Sequence, residues 1–281
     1  MEDEKLLMFR LSLLYLLLVF TICLCACTKP RQTILDRAMQ ADFAQYLFDT
    51  TDFTLYGLLR AGKGDILHVY IEGDGHAWIN KNQPSSDPTP NNPIALSLAL
   101  NDNSTAPILY LARPCQFVSG KSKRNCTGKK AVQYWTSARL GKQVIQSLSE
   151  AIDQAKITTM ANKVIIVGFS GGGGAAALLA ARRTDVLFLG SVAGNLDIKA
   201  WTDLHKVSPL SDSFNPIDSA SQLQTIAQRH LSSTDDSIIP PEISHNFCNA
   251  VKKVEACRTI QGIPHTGPWE KYWIYEYNSA F

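Results

Sequence analysis

Hydrophobic and polar residues follow two rhythms along the chain. Nearly unbroken apolar runs occur at "FTLYGLLR" from Phe53, "ILHVYIEG" from Ile66, "PILYLARP" from Pro107, "VIIVGFS" from Val164, "VLFLGSVAG" from Val186, "TIAQRHLS" from Thr225 and "CRTIQGI" from Cys257. Such runs suit strands covered on both faces. Between them, apolar positions recur at helical spacing in "PIALSLALND" from Pro93, "TSARLGKQVIQSLSEAIDQA" from Thr136, "GGAAALLAARR" from Gly173, "PEISHNFCNAVKKV" from Pro241 and "GPWEKYWIYEY" from Gly267. "ILDRAMQADFAQYL", from Ile34, has the same spacing and predicts a helical approach to the domain. Alternating strands and helices predict an α/β fold, a mostly parallel central sheet with helices on both faces. No repeat or Pro/Gly/Ser-rich linker interrupts the pattern. Residues 53–281 are therefore expected to form one domain, preceded by a lead-in over 27–52.

Residues 11–28, "LSLLYLLLVFTICLCACT", carry no charge and are long enough to cross a bilayer. They fit an uncleaved anchor or an ordinary secretory signal. A third reading comes from "LCAC", which resembles the bacterial lipobox, whose last cysteine is lipidated and becomes the mature N-terminus. That resemblance implies a signal peptide over 1–26, a lipid on Cys27 and a place in the bacterial cell envelope. Thr28, where an Asp would imply inner-membrane retention, favours the outer membrane. The acidic start "MEDEK" departs from a basic leader, which a start at Met8 would restore. Removing 1–26 from the 281 residues leaves 255, enough to bury a core without metal or disulfide support. The same cut deletes Lys5 and Arg10 against Glu2, Asp3 and Glu4, so the formal charge moves from +2 to +3. Nothing in that balance requires a nucleic-acid partner.

Export changes the meaning of the cysteines. Cys115, Cys126, Cys248 and Cys257 remain after the leader and allow three pairings. The local pairs Cys115–Cys126 and Cys248–Cys257 are expected, since each closes a short segment and an oxidising compartment would keep both. Their spacing does not resemble a structural zinc site. Two loops also stand out. Residues 73–93 carry four prolines directly after a strand, and residues 121–130 carry Lys121, Lys123, Arg124, Lys129 and Lys130 around Cys126. The second reads as a solvated loop pinned by its disulfide, or as a patch for anionic lipid head groups.

Candidate chemistry centres on "GFSGG", residues 168–172, which fits G-x-S-x-G between a strand and a helix. In that setting the serine sits on a tight turn with its hydroxyl raised above the sheet. The amide of Gly171, at the helix N-terminus, can donate to an oxyanion. A serine needs a base, and the base needs an acid to hold its tautomer. "STDDSIIPPE" supplies Asp235 and Asp236 after one strand, and "QGIPHTGPW" supplies His265 after the last.

With the order Ser…Asp…His, the chain resembles the α/β-hydrolase superfamily over residues 53–277. The resemblance implies Ser170 as nucleophile, His265 as base and, because "DSIIP" matches the frequent D-x-V-V-P pattern, Asp236 as acid. It places a second oxyanion donor in "EGDGH", the amide of Asp74 or Gly75, with Glu72 where a histidine is usual. A carboxylate at Asp74 would oppose an oxyanion unless it points away or pairs with a cation. About thirty residues separate Gly194 from Thr225, too few for a large cap domain.

Other residues have structural readings. His68 is expected to be a packed core residue, and His205, His230 and His245 to be surface or capping residues. His76 could reach the site through its loop. Trp201, Trp269 and Trp273 are expected to fill core or line the cleft. No cofactor motif occurs. The expected activity is a serine hydrolase acting on carboxylic esters of small molecules or lipids. A serine peptidase or acyltransferase on the same fold and a non-catalytic envelope binding lipoprotein are the alternatives.

Overall fold

The structure, a computed structural model, describes residues 30–279. The signal peptide expected over 1–26 and the lipid expected on Cys27 lie outside the described residues. In order come α1 (Pro30–Gln40), β1 (Phe43–Asp49), β2 (Thr54–Arg60), β3 (Ile66–Ile71), β4 (Trp78–Asn80), β5 (Gln83–Pro84), α2 (Ile94–Leu100) and β6 (Ile108–Leu111). They are followed by α3 (Lys142–Thr159), β7 (Lys163–Phe169), α4 (Gly171–Ala180), β8 (Val186–Val192), α5 (Ile198–His205), β9 (Ala227–Ser233), α6 (Pro241–Val251), β10 (Cys257–Ile260) and α7 (Glu270–Asn278).

Eight strands form one sheet in the order β1-β2-β6-β3-β7-β8-β9-β10, and β4 and β5 make a separate hairpin. β2 runs antiparallel to β1 and to β6, and every later pairing is parallel. Side chains alternate across the sheet because the strand period is two. Val164 and Ile166 join the core that holds α3, α4 and α6, while Ile165 and Val167 join the core of α1, α2 and α7. The helices complete the pattern: Val144, Ile145, Leu148, Ile152 and Ala155 make one buried stripe along α3. Between β8 and β9 lie only α5 and a 3-10 segment, Pro216–Leu223, so no large cap covers the strand ends.

The N-terminal lead-in differs from expectation. Helix α1 stops at Gln40, Asp42 takes a left-handed φ of 63°, and β1 then pairs with β2 along its whole length. The sheet therefore begins before residue 53. The helix expected from Thr136 starts at Lys142, and α5 and the β4–β5 hairpin were not expected. Cys115–Cys126 and Cys248–Cys257 both stand at disulfide-bonding distance. Among the described residues no helix is long and apolar enough to cross a membrane.

Candidate active site

Four strands deliver the site at their C-terminal ends, where open α/β sheets form their ligand crevices. After β7, Ser170 turns the chain sharply into α4 with φ 52° and ψ −123°. That left-handed conformation is costly for a residue with a Cβ, and bonds on both sides hold it. The Ser170 amide donates to the Val192 carbonyl at 3.0 Å, and its carbonyl accepts from Asn195 at 2.9 Å. Close packing requires the glycines. A Cβ on Gly168 would lie 2.0 Å from the Gly172 carbonyl oxygen, and one on Gly172 would lie 2.4 Å from that of Glu72.

His265 reaches Ser170 from the loop after β10. Its Nε2 stands 3.0 Å from Ser170 Oγ, and its Nδ1 stands 2.8 Å from Asp236 Oδ2. Its ring lies against Phe169 with centroids 5.0 Å apart. Asp236 is buried, and its Oδ1 accepts from the amides of Ile238 and Ile239, both at 2.9 Å. Asp235 is exposed and instead accepts from the Gly262 amide. The three side chains thus form one hydrogen-bonded series. Such a series can draw the proton from a hydroxyl as it attacks and hold the imidazolium that results.

The loop after β3 faces the elbow. The amides of Gly171, Asp74 and Gly75 make no hydrogen bond among the described residues. Gly75 adopts φ +65°, and a Cβ there would meet the Pro88 carbonyl oxygen at 2.1 Å. Gln116, buried, fastens this loop by donating to the Gly73 carbonyl at 3.0 Å. The Asp74 carboxylate lies against Gly171, close enough that a Cβ there would fall 2.2 Å from Asp74 Oδ1. It is paired, with Arg139 Nη1 2.7 Å from Oδ2 and Arg113 Nη1 3.5 Å from Oδ1. Sequence reading missed both arginines and Gln116. The chain separations of 39 and 65 between partners leave no local signal.

Glu72 is fully enclosed beside this cluster. Oε1 accepts from the Gly73 amide at 2.9 Å, and Oε2 has no hydrogen bond. Burial pushes its carboxyl up from 4.5 to about 7, against the pull of neighbouring amides. A raised carboxyl pKa means the folded state holds a proton that the unfolded state has released. The contribution of Glu72 to stability is therefore fully present below pH 4.5 and is lost as pH rises toward about 7. Glu72→Gln should flatten that decline, read as urea midpoints of both proteins from pH 4.5 to 7.5.

A cavity of about 460 Å³ opens over Ser170 and His265, walled by the 73–93 loop on one side and by Trp201 and Ile238 on the other. Arg139 lies over the Trp201 ring at 5.0 Å, and Asn195 presents a buried, unpartnered Oδ1. His76 also lines the cavity, whereas Trp269 and Trp273 are core. His68 is buried and bonded to Asp102 at 2.6 Å. His230 is no surface residue: it is wholly buried, 2.8 Å from Ser191 Oγ, and burial takes its pKa down to about 3. His205 is half-buried and bonds to the Ile238 carbonyl, while His245 is exposed and bonds to Thr259.

No protein-family model matches the chain, and no curated protein matches it in sequence. Solved structures do match in shape. An α/β serine hydrolase homologue from Coxiella burnetii shares 15% identity with a TM-score of 0.56, over 84% of this chain and 95% of its own. A Pyrococcus furiosus esterase shares 12% identity with a TM-score of 0.55, over 84% and 90%. Puromycin hydrolase shares 14% identity with a TM-score of 0.59 over 80% of this chain, which spans only 36% of that larger protein. This is the α/β-hydrolase fold. Within the α/β-hydrolase frame, Ser170 follows the central strand β7, and Asp236 and His265 follow two strands on one side of it.

Proposed function

We propose that the protein is a serine hydrolase that cleaves carboxylic esters through an acyl-enzyme intermediate. The observation that carries this reading is the unbroken series Ser170–His265–Asp236, opening on a cavity beside unpaired backbone amides. Ser170 Oγ attacks the ester carbonyl while His265 Nε2 takes its proton. The oxyanion is held by the amide of Gly171 and by that of Asp74 or Gly75. His265 then gives the proton to the leaving alcohol, and water repeats the cycle to release the acid and restore Ser170. Asp236 stays ionised and keeps Nδ1 protonated, so that Nε2 is free to act as base. The α/β-hydrolase fold serves an esterase and a puromycin hydrolase alike, so the choice of ester rests on analogy.

Treating the detergent-solubilised full chain with a fluorophosphonate tests the nucleophile. One adduct, mapped to Ser170 and absent from Ser170→Ala, is the expected result. Folded protein that takes no label would instead make the molecule a binding protein on a hydrolase scaffold. Matched p-nitrophenyl ester and anilide substrates, with and without an acceptor alcohol, then separate esterase from peptidase and acyltransferase. The ester reading requires faster ester turnover and no alcohol capture.

A further inference from the structure

The first turn of α1 sits at the rim of the cavity. Arg31, in the first turn of α1, donates from Nε to the Pro90 carbonyl at 2.8 Å and from Nη2 to Thr89 and Asn91 at 3.2 and 3.0 Å. Pro90 and Asn91 line the cavity over Ser170. Arg31 is three positions beyond Thr28, the end of the uncharged run, and four beyond Cys27. Those spans reach at most about 10 and about 14 Å. An anchor at either point would hold Arg31 within that distance of lipid, and Arg31 is bonded to the rim.

The same rim is built for such a surface. The β4–β5 hairpin presents Trp78 at 44% exposure and Ile79 at 55%, with Lys81 exposed in its turn, and Ile238 across the mouth is 46% exposed. Trp135 Nε1 donates to the Ser85 carbonyl at 3.1 Å and so ties the 3-10 segment Lys129–Trp135 to the hairpin. Lys129 and Lys130 stand exposed at the start of that segment. Among the described residues no carboxylate pairs with Lys81, Lys121, Lys123, Lys129 or Lys130. An exposed tryptophan and isoleucine edged by unpaired lysines match the acyl boundary and head groups of an anionic bilayer.

We propose that the N-terminal segment holds the mouth of the cavity against an anionic phospholipid bilayer, with the β4–β5 hairpin seated in the interface. Resting on the hydrolase reading, this names the substrate class as acyl esters presented by the membrane. Substrate then passes from the bilayer into the cavity without crossing bulk water.

The full chain reconstituted in phosphatidylglycerol vesicles provides the test. Bromine-labelled lipid should quench a tryptophan signal that Trp78→Phe removes, and more strongly than in phosphatidylcholine vesicles. Lys129→Glu with Lys130→Glu should abolish that lipid preference. Ile79→Ser should slow cleavage of a long-chain ester in the vesicle about tenfold, the factor expected for one lost buried aliphatic contact. It should leave a soluble short-chain ester unaffected, which also shows that the variant is folded. Quenching unchanged by Trp78→Phe, or equal slowing of both esters, overturns the proposal. Failure of the hydrolase reading looks different: wild type cleaves neither ester while quenching at Trp78 persists.

Discussion

Asp236→Asn is expected to lower kcat/KM about 10⁴-fold and leave the protein folded. The geometry shows why an isosteric change would cost so much. Asp236 Oδ1 accepts from two backbone amides, and Oδ2 faces His265 Nδ1. An asparagine keeps its oxygen where the two amides donate, so its NH2 is forced onto His265. Two donors cannot face each other across 2.8 Å. His265 must then shift its proton to Nε2, where it points at Ser170 and cannot accept the hydroxyl proton. Asp235→Asn supplies the control, because Asp235 is exposed and bonds to the Gly262 amide, not to His265, and should change the rate less than twofold. Steady-state kinetics on the best ester separate the two variants. Equal effects would remove Asp236 from the assignment.

Asp74→Ala is expected to destabilise the protein by about 3–5 kcal/mol, read as a lower urea midpoint. Asp74 is the carboxylate held between Arg139 and Arg113, both less than 7% exposed. Burial already lowers the Arg113 pKa, opposed by the charge of Asp74. Without that charge two guanidinium groups remain enclosed with too few acceptors, since Arg113 Nε and Nη1 already lack hydrogen bonds. The pairing also resolves how a carboxylate can sit beside Gly171. Its charge is spent on the arginines, and its side chain fills the space where a Cβ at Gly171 would stand. A midpoint unchanged from wild type would mean that water, not Asp74, solvates these arginines.

The elements that could be read from sequence were those with local signatures. Buried parallel strands declare themselves as apolar runs, and the elbow at 168–172 combines a strand end, a serine and glycines within five residues. Strand β1 hid because the break before it is made by Asp42 in a left-handed conformation, where a glycine would have advertised the stop. Its edge position also leaves Leu47 exposed, which spoils the alternation expected of a half-buried strand. Helix α5 did carry a signal, since the Asp197 side chain accepts from the Ala200 amide as an N-cap. Arg113, Arg139 and Gln116 were illegible for another reason. Their partners lie on other elements, and only the folded sheet brings them together.

The glycines of the elbow carry a consequence for anyone redesigning this scaffold. At Gly168 and Gly172 the nearest neighbours are main-chain atoms, which cannot step aside as a flexible side chain can. Saturation libraries at those positions would return mostly unfolded clones. Altered selectivity must come from the opposite walls of the cavity, Trp78 on the hairpin and the Trp201–Ile238 pair, where side chains and not backbone set the contour.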